Sequence, residues 1–426
     1  MVTLFPTGPP VAEPISHTTD PASFESIRII GHTAGSKAIE NLAMNQATEF
    51  DEMTLFRDMA RRAFEQEIAP FFEDWEAQHL VPRALWNTLG DAGLLCPDVA
   101  EEYGGAGTSA HVTLAMIEEL AYLGFGGIAT GYGIHSNIVA PYLSRHGTSE
   151  QKNQWLPKMV TGECVGALAM TEPGAGSDVQ GIRTHAVKDG NEWVLNGSKI
   201  FITNGIHADL VIVAAITDPG KGAKGTSLFL VDAHSPGFEK SKKLEKIGQH
   251  TSDTALLFFT DVRLPAEALL GEENKGFAIL MDELPRERLG IAAQAVAASE
   301  GALDITVSYV QERQAFGQTI GQFQNTRFKL AEVKTEIALN RAFYQQCADK
   351  YARGELTTDE AAMLKLASCE MQCRVANDCL QLFGGYGYTT EYPISRFYTD
   401  ARIQTIYGGS SEIMRELVAR SILGRA

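Results

Sequence analysis

The segment ALAMTEPGAGSDVQG, residues 167–181, has a composition that suits ligand binding. A strand-like run ends in the Thr171 hydroxyl, and a Pro-Gly turn with further small residues follows. Backbone N–H groups and Ser177 can therefore approach a flat ligand closely. The segment is not a dinucleotide-binding fingerprint, because the spacing after Gly176 is wrong and no βαβ unit surrounds it. By itself it predicts only a glycine-rich loop.

The six cysteines offer thiols but no evident metal site. Cys369 and Cys373 would share one helix face, yet the last histidine of the chain is His250, so further ligands are lacking. Buried core thiols are therefore the favoured interpretation. Without a secretory pattern, the thiols are expected to be reduced. We expect a location in a bacterial cytoplasm, with the mitochondrial matrix as the alternative.

The chain has three regions that differ in the spacing of their apolar residues. The elements that these regions form are expected to position any site. Residues 53–165 repeat apolar side chains at a helical spacing, and residues 274–426 return to it in long helices with wide apolar faces. Residues 166–273 instead contain short runs rich in β-branched and aromatic residues. We expect an α+β multidomain chain with an N-terminal helical domain, a middle antiparallel β-barrel or sandwich domain and a C-terminal four-helix bundle. Residues 1–52 are interpreted as an irregular extension.

Two dipeptides in the middle region predict the turns of β-hairpins. Asp189-Gly190 and Asn196-Gly197 each lie between short strand-like runs. Such pairs adopt the positive φ angles that a two-residue hairpin turn needs. We therefore expect antiparallel strands on both sides of each pair.

The composition argues against two classes of function. The formal net charge is −17, whereas nucleic-acid affinity depends largely on Lys and Arg side chains that neutralise phosphates. No run of 18 or more apolar residues occurs, so we expect no integral membrane segment. An anionic substrate must therefore be held by local groups.

Four further segments extend the interpretation of residues 167–181. They are FITNG (201–205), ERQAFGQTIGQFQ (312–324), QLFGGYGY (381–388) and YPISRFYTDARIQTIYGGSSEI (392–413). The five segments stand in the order found in acyl-CoA dehydrogenases, and the chain resembles that family from about residue 52 to 424. The stretch from ELPRERL to the end is most similar to the long-chain and isovaleryl-type members.

The resemblance implies an activity, a cofactor and partners. The family removes two hydrogens from an acyl-CoA thioester to give a trans-2-enoyl-CoA, and the hydride goes to N5 of FAD. Electrons then pass to an electron-transferring flavoprotein, in fatty-acid or branched-chain acyl catabolism. We therefore expect an acyl-CoA substrate, FAD, a homotetramer built as a dimer of dimers, and no catalytic metal.

The resemblance also implies which residues hold FAD. Those expected at the flavin ring and the diphosphate are Leu168, Met170, Thr171, Ser177, Phe201 and Thr203. The adenine half is expected between subunits. One chain would contribute Arg313, Phe316 and Gln324, and its neighbour Gln381, Leu382, Gly384 and Gly385. Ser410 and Glu412 would close over the cofactor.

The base that takes the α-proton is expected at Glu287. Most relatives have a glutamate directly after the tyrosine of the last motif, but this chain reads Tyr407-Gly408-Gly409. In long-chain and isovaleryl-type members the base comes instead from another helix, just before an arginine. Glu287 followed by Arg288 matches that position. The residues expected to contact the substrate are Ser177, Arg288, Gly408 and Gly409.

Other interpretations remain open from the sequence. Glu287 can be a solvated helix residue paired with Arg286 or Arg288, and Arg288 can be an ion-pair member and not a substrate contact. Some members of the superfamily lack the glutamate and act as oxidases or monooxygenases. Others serve as non-enzymatic assembly or scaffold proteins.

Overall fold

The computed structural model of the chain describes residues 53–424, except for the side chain of Gln180. The expected extension over residues 1–52 lies outside the described residues. Apolar residues at a spacing of four are buried in the first helix, as in Ala60 and Phe64. The helices that precede the strands are α1 (53–67), α2 (Phe72–Gln78), α3 (Ala84–Asp91), α4 (Ala110–Tyr122), α5 (Gly126–Tyr132), α6 (Ala140–His146) and α7 (Ser149–Val160).

The middle region forms one sheet. Its strands are β1 (Gly166–Ala169), β2 (His185–Asp189), β3 (Glu192–Thr203), β4 (Leu210–Ile216), β5 (Thr226–Asp232), β6 (Phe238–Lys240), β7 (Thr254–Pro265) and β8 (Leu269–Leu270). The order is β6-β7-β3-β2-β4-β5-β8, and β1 pairs with β4. The expected antiparallel pairing is found for the other neighbouring strands, whereas β1 and β2 both pair with β4 in parallel. Parallel neighbours need a long connection, and the β2–β3 hairpin lies between β1 and β4.

The central strands β4 and β5 are covered on both faces. Their even-numbered residues pack in the core shared with the helices, namely Leu210, Ile212, Ala214, Leu228 and Leu230. Their odd-numbered residues pack in the core of the β-domain itself, namely Val211, Val213, Ala215, Phe229 and Val231. This alternation explains why both strands are almost continuously apolar in sequence.

One of the two predicted hairpins is confirmed, although its turn lies one residue later than expected. β2 and β3 pair up to Asp189 and Glu192, so the two turn residues are Gly190, with φ +63°, and Asn191. The prediction for Asn196-Gly197 is wrong, because this pair lies inside β3, where the register with β7 shifts. A Cβ at Gly197 would collide with Thr184. The glycine therefore serves a β-bulge and a close approach of two strands, and not a turn.

Long helices form the C-terminal region. They are α8 (Gly276–Glu312), α9 (Gln324–Ala352), α10 (Thr358–Phe383), α11 (Ile394–Gln404) and α12 (Ser411–Leu423). The short hairpin β9 (Gln314–Ala315) and β10 (Gln318–Thr319) connects α8 to α9. The helices α8, α9 and α10 pack on one another, α11 and α12 pack against α10, and α8 also packs against α4. The predicted order of helical, β and helical parts is confirmed.

Candidate active site

The π-helical segment Gly133–Val139, between α5 and α6, connects the β-domain to α8. His135 accepts a hydrogen bond at Nδ1 from the Gly166 N–H (3.1 Å) and donates from Nε2 to a main-chain carbonyl oxygen (3.0 Å). Burial lowers the pKa of His135 to about 4, so the ring is neutral. Asn137 Oδ1 accepts from Nε of Arg286 on α8 (3.1 Å). The segment therefore fixes the position of β1 relative to α8. Turns of π-helix are frequent at functional sites.

Glu287 lies on α8 and is buried, with 8% of its surface exposed. Its Oε1 accepts a hydrogen bond from the hydroxyl of Tyr142 on α6 (2.8 Å). Burial raises the pKa of Glu287 to about 7, although the Tyr142 hydrogen bond acts in the opposite direction. The interpretation of Glu287 as a solvated surface residue is therefore wrong. Such a carboxylate is a stronger base than an exposed one, and with a pKa of about 7 it is roughly half ionised at neutral pH.

Arg288 follows Glu287 and is 3% exposed. Its Nε and Nη1 atoms are buried without a hydrogen-bond partner among the described residues. Burial lowers the pKa of the guanidinium, while the charge of Glu287 opposes this shift. A buried donor without an acceptor is costly to a fold. The guanidinium is therefore available to an acceptor on a bound ligand.

The Gly408-Gly409 loop, between α11 and α12, faces the same stretch of α8. Both glycines have positive φ angles, +63° and +97°, which favour residues without a side chain. A Cβ at Gly408 would collide with Cδ1 of Ile291, which is one helical turn after Glu287. On the other side, Lys365 on α10 donates a hydrogen bond to the Gly409 carbonyl oxygen (2.7 Å). The loop is thus held between α8 and α10.

A second group of predicted site residues meets at one end of the sheet. Main-chain contacts join the end of β1 to the end of β3, since the Ile200 N–H donates to the Thr171 carbonyl oxygen (2.9 Å). The Lys199 ammonium donates to the Met170 carbonyl oxygen (2.9 Å). The structure thereby brings together the two segments that hold Leu168, Met170, Thr171, Phe201 and Thr203. All of these side chains except Phe201 are half-buried.

Phe201 is unusual both in its backbone and in its exposure. Its φ angle is +60°, and 63% of its surface is exposed. Phe201 lies within an irregularity of β3, where the pairing with β7 shifts between Lys199 and Ile202. Positive φ in a bulky residue is strained, and such strain is concentrated at ligand-binding sites. An exposed ring on a strained strand is suited to stack on a planar ligand.

The loop between β1 and β2 carries Ser177, which is exposed. Glu172 fixes the stem of this loop, because its carboxylate accepts hydrogen bonds from Lys199 (2.8 Å) and from two main-chain N–H groups (2.7 and 3.0 Å). At the tip, Gly174 and Gly176 have open space where a Cβ would lie. The stem is therefore anchored, while the tip is open to a ligand.

A third group lines a groove of about 460 Å³ on the C-terminal helices. Gly384 and Gly385 have open space at the Cβ position, and the Arg313 guanidinium lies over the Tyr386 ring (5.3 Å to the centroid). The predicted residues in its wall are Arg313, Gln381, Leu382, Gly384 and Gly385. One chain thus brings Arg313 and the 381–385 segment into one groove, whereas the resemblance implied that they act from different chains.

The remaining predicted residues lie outside the wall of this groove. Phe316 is 95% exposed in the turn between β9 and β10, with φ +50°. Gln324 is exposed at the first position of α9. Ser410 is the N-cap of α12 and accepts a hydrogen bond from the Ile413 N–H (3.4 Å). Glu412 is exposed and lies 3.9 Å from Arg415.

Two residues at the site are absent from the sequence-based prediction. Tyr142 is separated from Glu287 by 145 positions, and nothing in its local sequence indicates the contact. Lys365 leaves a detectable signal, since it is the one charged residue in the apolar run AAMLKLAS. A lysine inside such a run is expected to be buried and therefore to need a hydrogen-bond acceptor. The Gly409 carbonyl oxygen is that acceptor. Within residues 53–424 no helix is both long and apolar enough to cross a membrane.

Family models match nearly all of the described residues. The N-terminal domain model of acyl-CoA dehydrogenases matches residues 50–163, the middle domain model matches residues 167–262, and the C-terminal domain model matches residues 274–423. The chain belongs to the acyl-CoA dehydrogenase family. It is an enzyme that dehydrogenates an acyl-CoA, in a family of FAD-dependent oxidoreductases of fatty-acid metabolism.

Individual relatives support this membership. The long-chain specific acyl-CoA dehydrogenase of Sus scrofa mitochondria is 48% identical over 92% of this chain and 93% of its own. An acyl-CoA dehydrogenase structure from Geobacillus kaustophilus is 46% identical, with a TM-score of 0.85, over 87% of this chain and 98% of its own. A glutaryl-CoA dehydrogenase structure from Mycobacterium smegmatis, in complex with FADH2, is 30% identical with a TM-score of 0.83 over 88% and 95%. These enzymes favour catalysis over the scaffold alternative.

The residues of this chain fit FAD. Phe201 presents an exposed ring at the end of the sheet, and the loop that carries Ser177 is open at its tip. The groove beside Arg313 combines a cation with glycines that leave open space. Aromatic faces, backbone N–H groups and a guanidinium are the groups that an isoalloxazine ring and a diphosphate require.

Proposed function

We propose that Glu287 takes the α-proton of an acyl-CoA thioester while FAD accepts the hydride from the β-carbon, which gives a trans-2-enoyl-CoA. The observation that carries this proposal is a buried carboxylate with a pKa of about 7 that accepts a hydrogen bond from Tyr142. A thioester α-C–H is a weak acid, so a carboxylate with a raised pKa is the stronger base. FAD, when bound, supplies the hydride acceptor.

The position of Gly408 supports the assignment of the base. A Cβ at Gly408 would point at Cδ1 of Ile291, one turn along α8 from Glu287. Two elements thus converge on one volume, and only α8 brings a carboxylate to it. The Gly408 N–H then polarises the thioester carbonyl oxygen, which makes the α-proton more acidic. Arg288, whose Nε and Nη1 have no hydrogen-bond partner among residues 53–424, contacts the substrate, together with Ser177 and Gly409.

The cofactor is held by two separate surfaces in this proposal. The flavin ring and the diphosphate bind at the end of the sheet, through Leu168, Met170, Thr171, Ser177, Phe201 and Thr203. The adenine half binds in the groove of a second copy, through Arg313, Gln381, Leu382, Gly384 and Gly385. Phe316, Gln324, Ser410 and Glu412 border the cofactor there. The enzyme is a homotetramer, a dimer of dimers, and it passes electrons to an electron-transferring flavoprotein.

Glu287→Gln tests the base directly, because it keeps the shape of the side chain and its acceptor for Tyr142. We expect the variant to retain FAD and to lose about 10²–10⁴-fold in the rate of anaerobic flavin bleaching by acyl-CoA, as is typical for a general base. Stopped-flow absorbance over straight and branched acyl chains measures this rate. A loss below threefold would assign the base to another residue.

Glu300→Gln is the matched control. It removes a carboxylate from the same helix, at a site where Glu300 pairs with Arg341 and not with Tyr142. We expect a lower melting temperature but an unchanged bleaching rate per bound flavin. Formation of hydrogen peroxide or of a hydroxylated product by the aerobic wild type would instead support the oxidase or monooxygenase alternative.

A further inference from the structure

Two rows of polar contacts connect α6 and α8 beside the proposed base. In the first row, Tyr142 on α6 donates to Glu287 on α8 (2.8 Å). In the second row, Glu283 on α8 pairs with His146 (2.9 Å) and Arg145 (3.2 Å) on α6. Residues three and four apart lie on one face of a helix. The two rows therefore occupy facing sides of the two helices, one turn apart.

The tyrosine and the two carboxylates in these rows are buried and hydrogen-bonded. Tyr142 is fully buried, and Glu283 is 1% exposed. Burial, with the neighbouring Glu287, raises the pKa of Tyr142 well above its ordinary value, so its hydroxyl is a donor at neutral pH. Glu283 receives two partners from one helix, the guanidinium of Arg145 and the imidazole of His146. A buried carboxylate with such partners resists separation of the helices, because separation would leave it unpaired.

We propose that Tyr142 is a positioning residue that holds one oxygen of Glu287, and that the Glu283 ion pairs set the helix spacing that this contact requires. The inference rests on the proposed function of Glu287. With Oε1 engaged, the carboxylate cannot rotate freely about its terminal bond. Oε2 is then the oxygen that is free to take a proton from the substrate. Misplacement of a reacting group by about 1 Å can cost about 100-fold in rate.

The charges around Glu287 give the two rows opposite electrostatic effects. The hydroxyl of Tyr142 stabilises the ionised form, whereas the carboxylate of Glu283 disfavours it. Arg288, the next residue on α8, also favours the ionised form. Asp282 faces Tyr142, and Lys365 on α10 faces Arg288. Removal of the hydroxyl and removal of the Glu283 charge must therefore move the titration of Glu287 in opposite directions.

The test measures anaerobic flavin bleaching by acyl-CoA against pH in the holoenzyme. For Tyr142→Phe we expect normal FAD content, a rate about 10- to 100-fold lower, and a midpoint of the pH profile above that of the wild type. For Glu283→Gln we expect a midpoint below that of the wild type. A purely structural role for these residues would change the melting temperature without opposite shifts of the midpoint.

Tyr132→Phe is the matched control for the tyrosine. Tyr132 is equally buried, and its hydroxyl donates to the Leu94 carbonyl oxygen (3.0 Å), away from Glu287. We expect a lower melting temperature and the wild-type pH midpoint. The same midpoint shift in Tyr132→Phe as in Tyr142→Phe would overturn the proposal.

The outcomes separate this inference from the proposed function. If Glu287→Gln bleaches at the wild-type rate, the assignment of the base fails, and the inference fails with it. If Glu287→Gln is inactive while Tyr142→Phe keeps the wild-type rate and midpoint, only the inference is overturned. Should Tyr142→Phe fail to retain FAD, Glu283→Gln decides alone, and an unchanged midpoint in that variant overturns the proposal.

Discussion

The site around Glu287 and the groove around Arg313 are built in contrasting ways. Glu287 is buried, and its hydrogen bond to Tyr142 joins two helices of the same chain. The groove is open, with glycines that face empty space, and the nearby Phe316 is almost fully exposed on a left-handed backbone. The first site is enclosed by contacts within one chain, whereas the second leaves glycines and an exposed ring facing open space.

The contrast indicates where stability and function conflict. At Glu287 the conflict is electrostatic, because burial opposes the charge that the proposed base needs. At Phe316 the conflict is conformational and hydrophobic, because a bulky residue in the left-handed region is strained and its ring is exposed. Each site departs from what would stabilise the chain alone, as is expected of sites that serve a ligand.

The largest expected effect concerns the position of the base. Glu287→Gly is expected to lose about 10²–10⁴-fold in the bleaching rate, or about 3–5 kcal/mol of barrier. Because residue 408 points at α8 one turn from Glu287, adding Gly408→Glu should restore part of the loss. Stopped-flow rates for the wild type, both single variants and the double variant measure this.

Recovery in that double variant should be incomplete for a structural reason. Gly408 has φ +63°, and Ile291 occupies the direction of a new Cβ. Adding Ile291→Ala should raise the recovered rate by making space. A double variant that keeps its flavin but is no faster than Glu287→Gly, with or without Ile291→Ala, would show that residue 408 does not face the α-carbon.

The second effect is on stability and depends on pH. The pKa of Glu287 is about 7 in the folded chain, above its ordinary value of 4.5. The contribution of Glu287 to the free energy of unfolding is fully present below pH 4.5, where the side chain is protonated. This contribution is lost as the pH rises to 7. Glu287→Gln should therefore stabilise the enzyme by about 3 kcal/mol at pH 8 and by little at pH 5. Thermal unfolding at both pH values measures the difference, and equal effects at both would contradict it.

The third effect concerns the open groove. Arg313→Ala is expected to weaken FAD binding by about 2 kcal/mol, or about 30-fold, because it removes a charge-assisted hydrogen bond to an anionic cofactor. Turnover per bound flavin should stay near that of the wild type. Ultrafiltration with FAD titration measures the binding. A variant with full flavin and lost turnover would mean that Arg313 acts in the chemistry.

How far the sequence predicts this molecule depends on the range of the interactions. Local signals succeeded where the deciding contact is close in the chain, as in the β2–β3 hairpin, whose turn lies within one residue of the predicted position. The Asn196-Gly197 prediction failed because the same local signal serves a bulge, and the approach of Thr184 across the sheet decides between the two. The parallel pairing of β1 with β4 likewise depends on contacts between segments that are distant in the chain, and the local sequence does not indicate it.

The candidate site follows the same rule. Glu287 and Gly408 were identified through a resemblance, and their spatial relation appears only when α8 and the loop are packed. Tyr142 carries no signal, because it stands in an ordinary helix and its partner lies 145 positions away. The grouping of Arg313 with Gln381 in one groove also required the folded chain.

The smallest effect separates stability from cofactor binding at Phe316. In the two-residue turn between Ala315 and Gln318, both Phe316 and Gly317 have positive φ angles, +50° and +79°. Asparagine tolerates this conformation far better than phenylalanine, so Phe316→Asn should stabilise the chain by about 1 kcal/mol if the ring serves only its own subunit. If the ring instead contacts FAD or a second copy, the variant should bind FAD more weakly and dissociate into smaller species at a higher protein concentration. Light scattering and FAD titration on holo and apo enzyme measure both outcomes. We expect a more stable apo chain and a holo assembly that dissociates more readily.

Phe328→Asn, at an exposed phenylalanine on α9, is the control for the loss of an exposed ring on an unstrained helix. A Phe316→Asn enzyme with unchanged FAD affinity and unchanged assembly would mean that the exposed ring has no part in the cofactor site, and that the groove is completed without it.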